Sequence, residues 1–307
     1  MSDISIDYCG LKLKNPIFTA SGTCGYFDEL SDFVELESLG GFITKSISLE
    51  PREGNPLPRI VETDAGMLNA IGLANIGLKE FVEKKIPLMK DAAVPVFVNL
   101  AGKTIDEYVE VASRLTGFNE ITGFELNISC PNVKAGGISF GTDPAQIEKI
   151  TAAVKHVCGG KPLIVKLTPS VTDIAVTARA AIEGGADSLS LVNTFTAMVI
   201  DIRTKKPVLA NRTGGLSGPA IKPIAVYLVN RVYNEAAKPA GIPVMGLGGI
   251  RTVSDVIEFM IAGASVVSVG TATFTNPAVT QQLAEGLEEY CRRHRIKKLS
   301  DITGSLM

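Results

Sequence analysis

The residues best able to do chemistry in this chain are one cysteine, two lysines and a group of asparagines, each placed where an apolar run stops. Cys130 lies in ELNISCPNVKAGG, residues 125–137, beside Pro131 and the pair Gly136-Gly137. Lys45 with Ser46, Asn99, Asn127, Lys166 and the pair Asn193-Thr194 close five short apolar runs, and Ser21-Gly22 follow a sixth. Taken singly, an asparagine or serine in such a place makes a turn, and a lysine reaches solvent. Taken together, two cations and three amides converging on one cavity suit a planar ligand that is anionic or amide-bearing, because asparagine both donates and accepts. Cys130 is the candidate general base or nucleophile. Its loop is polar and glycine-hinged, and nearby lysines favour its thiolate over a free thiol of pKa about 8.5.

The other candidates are fewer. The two histidines, His156 and His294, fall in helix-like stretches, which disfavours a Ser-His-Asp triad or a His-ligated zinc. The five cysteines, at 9, 24, 130, 158 and 291, form no C-x-x-C pair, which fits a reducing cytosol and offers no metal site. Cys9 and Cys158 read as inert packing, and Cys24 falls near the expected cavity. Glycines gather in TGGLSGP (213–219), GLGGI (246–250) and VGT (269–271). Glycine lets backbone N–H groups approach a phosphate closely. No G-x-G-x-x-G opens a βαβ unit and there is no Walker loop, so a mononucleotide-like phosphate ester fits better than NAD or ATP.

The elements that must position these groups form a repeating pattern. Strands are expected at Pro16–Ala20, Phe42–Lys45, Val94–Leu100, Gly123–Ile128, Leu163–Leu167, Ser188–Val192, Pro243–Leu247 and Ser265–Val269. Amphipathic helices are expected from near Asp28, Gly77, Thr104, Asp143, Val171, Pro219, Thr252 and Pro277. Eight strands, each followed by a helix, read as a parallel sheet closed into a (β/α)8 TIM barrel, with an open doubly wound sheet as the rival. In a barrel the polar strand ends share one mouth, and the glycine loops after strands seven and eight form the usual phosphate site. Three long loops, 46–76, 129–142 and 193–218, belong on that face, and the third carries AMVIDIRT and KPVLANRT, which can pair as a hairpin. The start, ISIDYCGLKLKNP, predicts another hairpin, covering the barrel bottom. No linker interrupts residues 1–307, so one domain is expected. A net charge of −2 argues against nucleic acid as a partner, and no apolar run is long enough to span a membrane. The N-terminus has no signal-peptide pattern, so a cytoplasmic protein is expected.

Longer stretches carry a resemblance. EPREGNPLPR (50–59), MLNAIGL (67–73), NISCPNVK (127–134), ANRTGGLSGPAIKP (210–223) and GLGGI resemble the soluble dihydroorotate dehydrogenases, in order and over nearly the whole chain. The resemblance implies an FMN-binding barrel that oxidises dihydroorotate to orotate in pyrimidine synthesis. It implies that Cys130 takes the C5 proton and that Lys45 touches both flavin and substrate, with Lys166 beside the flavin ring. Asn69, Asn127, Asn132, Asn193 and Thr194 would bind the pyrimidine, and backbone from Ala70, Ile71, Gly72 and Leu73 the carboxylate with Lys45. Ser21, Ser46, Asn99, Asn127 and Val192 would line FMN, with Gly218, Gly248, Gly249, Gly270 and Thr271 around its phosphate.

The cysteine base and the absence of an N-terminal helical extension match the soluble rather than the membrane-bound type. NVKAGG and TGGLSGPAIKP resemble the NAD-linked form. That form implies a partner subunit carrying FAD and a 2Fe–2S cluster, in a heterotetramer of two catalytic and two electron-transfer chains. The alternatives are the fumarate-reducing soluble form and a dihydropyrimidine dehydrogenase-like flavin barrel. More remote are a barrel lyase acting on a phosphorylated substrate through a lysine Schiff base, and a non-catalytic flavin scaffold.

Overall fold

Segments such as VFVNL, LIVK and VVSV are apolar on both faces, which suits strands covered by helices on one side and packed across a barrel axis on the other. The computed structural model describes residues 3–90, 92–129 and 140–307, so Cys130 and Asn132 lie outside the described residues. Eight parallel strands share one sheet: β1 (Ile17–Thr19), β2 (Phe42–Ile43), β3 (Val96–Leu100), β4 (Gly123–Asn127), β5 (Leu163–Lys166), β6 (Ser188–Leu191), β7 (Val244–Leu247) and β8 (Val266–Val269). Each pairs with the next in chain order from β2 to β8, and β8 pairs with β1. Phe18 bridges to Gly41 just before β2, where Gly41 N–H donates to the Ile17 carbonyl at 3.3 Å and Thr19 N–H donates to that of Gly41 at 3.4 Å. The sheet thereby closes into the expected (β/α)8 barrel.

Helices return the chain outside the sheet, and their first turns lie at the mouth. Thr104, Asp143 and Asp173 accept from the backbone N–H groups of Glu107, Ala145 and Ala175, capping helices Ile105–Thr116, Pro144–Val157 and Ile174–Glu183. Thr252 and Asp255 form a reciprocal capping box on Val253–Ala262. Two helices depart from expectation. The one near Asp28 is a single turn, Asp28–Ser31. The one near Gly77 is α-helical only over Gly77–Glu80, widens at Phe81–Lys85 and tightens into a 3-10 turn at Ile86–Met89, where Pro87 supplies no backbone donor.

The two ends of the barrel are built differently. At the bottom, Ile6–Tyr8 pairs with Leu11–Leu13 in the expected hairpin, and the buried Tyr8 hydroxyl lies 2.7 Å from Ser188 Oγ at the start of β6. At the top, Ile60–Thr63, Gly66–Asn69, Gly214–Ser217 and Phe195–Ala197 form a four-stranded antiparallel sheet. The hairpin Ile200–Asp201 with Lys206–Pro207 is also present. The sheet buries Leu68, Ala70 and Leu209 in a small core of its own and joins two of the long loops into one unit. Among the described residues no helix is long and apolar enough to cross a membrane.

Candidate active site

The C-terminal ends of the barrel strands and the upper sheet enclose a cavity of about 620 Å³, within the usual range for a small-molecule site. From the strand ends it receives Ser21, Lys45, Ser46, Asn127, Lys166, Val192, Asn193 and Thr194. From the upper sheet and the loop after it come Asn69, Ala70, Ile71, Gly72 and Leu73, and from the glycine loops Gly218, Gly248, Gly249, Gly270 and Thr271. The fold therefore gathers these expected site residues around one space. Asn99 is the exception, because it lies one layer below. Its amide oxygen accepts from Ser46 Oγ at 2.5 Å, so it meets the cavity only through Ser46.

Beneath the cavity lies a charged layer that the strand-end reading of the sequence did not include. Asn99 stands opposite Glu125 in the β3–β4 register, and Lys166 stands opposite both Asn127 and Ser190. Glu125 is 1 % exposed. Its Oε2 accepts from Asn99 Nδ2 at 2.5 Å and its Oε1 from Ser190 Oγ at 2.8 Å. Lys166 Nζ sits 3.7 Å from Oε2, with its side chain 7 % exposed. The lysine thus presents a cation to the cavity floor with its counter-charge behind it. The signal for Glu125 was present: a carboxylate within the apolar run FELNI needs buried partners.

Two sets of backbone N–H groups on residues lining the cavity have no acceptor among the described residues. Among the described residues none accepts from the N–H groups of Ile71, Gly72 or Leu73, whereas the carbonyls of Ala70, Ile71 and Leu73 are taken by Asn55 and Asn75. Gly72 and Leu73 are both left-handed, at φ +74° and +57°, a turn of backbone that collects N–H groups on one side. The second set comprises Gly248, Gly249 and Gly270, whose N–H groups likewise have no acceptor among the described residues. Beside them the Thr271 hydroxyl donates to Ser217 Oγ at 2.8 Å. Both sets are chemically fitted to anions.

Titratable groups around the cavity fall into clear classes. Burial pushes the half-buried Lys45 ammonium below its usual pKa and Arg59 adds to this, while Glu29 partly restores it. Among the described residues no carboxylate forms an ion pair with Lys45. Burial raises every described thiol, to about 12 for Cys9 and for Cys158, and upward for Cys24 and Cys291. These four are therefore poor nucleophiles at neutral pH. Polar groups missed by the strand-end argument are Thr196, Asn211, Thr213 and Ser217 from the upper loops and Thr168 and Ser170 after β5. Strand-end reasoning does not find them, because Thr196 and Ser217 stand in the upper sheet, whose strands come from distant segments, and the others lie in the connections beyond the strand ends.

Residues 4–291 match the family model described as dihydroorotate dehydrogenase. Over 304 residues the chain is 51% identical to a Pelobacter propionicus protein named dihydroorotate dehydrogenase B (NAD(+)), catalytic subunit, covering 99% of this chain and 98% of that one. Proteins of the same name from Geobacter sp. strain M21 and Maridesulfovibrio salexigens are also 51% identical, with the same coverage. Similarity of this extent spans the barrel, the upper sheet and both glycine-rich loops together, and it places the chain in the dihydroorotate dehydrogenase family.

Proposed function

We propose that the chain oxidises dihydroorotate to orotate with FMN as its cofactor, as the catalytic subunit of an NAD-linked enzyme of pyrimidine biosynthesis. The observation that carries this reading is one cavity holding two anion-fitted sets of backbone N–H groups together with two cationic side chains. Dihydroorotate brings a carboxylate and FMN a phosphate. The N–H groups of Ile71, Gly72 and Leu73, with the unpaired Lys45, suit the carboxylate. Those of Gly248, Gly249 and Gly270, with Gly218 and Thr271, suit the phosphate. The donor set therefore fits the cofactor.

The remaining roles follow from chemistry. Asn69, Asn127, Asn132, Asn193 and Thr194 offer donors and acceptors to the pyrimidine amides. Ser21, Ser46 and Val192 line the flavin, and Asn99 holds Ser46. When bound, FMN supplies an acceptor for the hydride that leaves C6. Lys166 places fixed positive charge where negative charge grows on reduction, an electrostatic task that needs no rearrangement. Cys130 takes the proton from C5, so the C5–C6 double bond forms as both hydrogens depart. Its assignment rests on the sequence and the family.

The relatives' name, catalytic subunit, supports a second subunit here. This chain has neither a dinucleotide fingerprint nor a four-cysteine cluster run, so we assign FAD and a 2Fe–2S cluster to that partner, two copies of each chain forming the complex. The test is the absorption spectrum of the purified protein, which should show flavin that dihydroorotate bleaches anaerobically. NAD should restore the colour quickly only with the partner present. A protein that takes up no flavin, or flavin that dihydroorotate leaves oxidised, refutes the proposal.

A further inference from the structure

Glu125 is the one strongly buried carboxylate of the described barrel interior, and the proposed reaction gives it no task. Its place is specific. It lies behind Lys166 at 3.7 Å, and both its oxygens accept hydrogen bonds, from Asn99 and from Ser190. A carboxylate only accepts when ionised, and this arrangement of donors suits that form. The same Asn99 is held from above by Ser46, which lines the cavity. One polar layer thus connects the cavity wall at Ser46 to the cation at its floor.

An apolar shell around Lys166 would leave a buried charge uncompensated, which is strongly destabilising. A buried carboxylate does something that an apolar shell cannot. It neutralises part of the field that the ammonium projects into the cavity, and it fixes the direction of that ammonium. Rested on the flavin reading above, this has a consequence for electron transfer. A bare cation at the floor binds reduced, more negative flavin too tightly and makes it a poor donor to the next carrier.

We propose that Glu125 is a positioning residue that acts through Lys166 to lower the reduction potential of bound FMN, keeping the reduced cofactor able to pass its electrons on. No bond to Glu125 is made or broken. Its charge sets how strongly Lys166 favours the reduced form.

The test is dye-equilibrated redox titration of the FMN-loaded protein as wild type, Glu125→Gln, Lys166→Gln and the double variant. Glu125→Gln should raise the affinity ratio for reduced over oxidised FMN at least tenfold, which for a two-electron couple is about 30 mV more positive. In the Lys166→Gln background the same change should move the potential by less than a third of that. An unchanged potential in flavin-loaded Glu125→Gln overturns the inference, and so does an equal shift in both backgrounds. If Glu125→Gln does not hold flavin, Glu125→Asp keeps the charge but withdraws it by one methylene. It should shift the potential the same way by less, and no shift overturns the inference. Wild-type protein that takes up no FMN overturns the flavin reading instead, and is told apart because it fails before any variant is compared.

Discussion

Replacing Gly249 by alanine tests the phosphate cradle most directly. Gly249 has φ +80°, a left-handed conformation that costs an L-residue about 1–2 kcal/mol. Its added methyl would meet the Gly218 carbonyl oxygen at 2.8 Å and Lys222 Cβ at 2.8 Å. Gly218 has little room to retreat, since it too has positive φ, +94°, and packs its α-carbon face against Gly66 in the upper sheet. Forcing the two loops apart adds roughly 1–2 kcal/mol, as overpacking does elsewhere. Part of that strain is present without ligand and lowers stability. The part that spreads the cradle, roughly 1–2 kcal/mol, appears as FMN affinity weakened about 5- to 30-fold. Titration of the apoprotein by flavin fluorescence measures it, with riboflavin as the control because it has no phosphate. Riboflavin affinity should change by less than about threefold, as its contacts lie elsewhere. Equal losses for FMN and riboflavin, or no loss for FMN, refute the cradle.

Three further outcomes are expected. Lys45→Met should weaken orotate binding about 10- to 100-fold, the worth of a charge-assisted hydrogen bond. Orotate-induced change in the flavin spectrum reports it, and unchanged affinity removes Lys45 from the carboxylate site. In native protein at pH 8, thiol reagents should label Cys130 first. A thiol raised to about 12 is ionised only to roughly one part in 10⁴ there, against about a quarter for an ordinary thiol. Rapid labelling that survives Cys130→Ala contradicts this. Burial opposes ionisation of Asp255, but the Lys222 ammonium and the N–H groups of Arg251 and Thr252 outweigh it and hold the carboxyl below its usual 3.8. Its stabilisation is therefore present above that pH and lost as pH falls through the lower folded value. Asp255→Asn should cost about 1–2 kcal/mol near neutrality, like loss of a cap, with the gap in melting temperature closing below about pH 4. A gap that is constant from pH 7 to 3 contradicts it.

The barrel was legible because its strands are short apolar runs and because polar residues stop them at a common end. Asn127 and Lys166 are the last residues of β4 and β5, and Lys45 and Asn193 lie just beyond the ends of β2 and β6, so their convergence follows from topology once the barrel is assumed. Asn99 was read the same way, yet β3 extends one residue beyond it, to Leu100, which leaves it inside the wall. Glu125 was overlooked because a charge flanked by Phe124 and Leu126 has meaning only once Asn99, Ser190 and Lys166 are beside it, and those come from three other strands. The upper sheet escaped notice for a related reason. Gly66–Asn69 pairs with Gly214–Ser217 across nearly half the chain, and no local pattern encodes a partner so distant. The break after Gly77–Glu80 has a local cause in Pro87, although apolar spacing alone reads straight through it.

A cavity furnished with unpaired donors is a burden to the protein that holds it. Each N–H group left without an acceptor costs free energy when it is shielded from water, and Lys45 loses solvation with no ion pair among the described residues in return. The opposite end of the barrel shows where this is offset. There Tyr8 is fully buried, bonds Ser188 and packs edge-on to Phe18 at 5.8 Å, and Phe18 in turn lies 5.8 Å from Phe97. The bottom is thus closed by packed rings and a satisfied hydroxyl, whereas the mouth is arranged for ligands that complete it. A ligand bound only by the folded state adds RT ln(1 + [L]/Kd), about 2.7 kcal/mol at a hundredfold excess over Kd. FMN loading should consequently raise the melting temperature, and it should do so far less in Gly249→Ala, whose bottom half is untouched. Were the gain the same in both, the unpaired N–H groups at the glycine loops would not be what the cofactor satisfies.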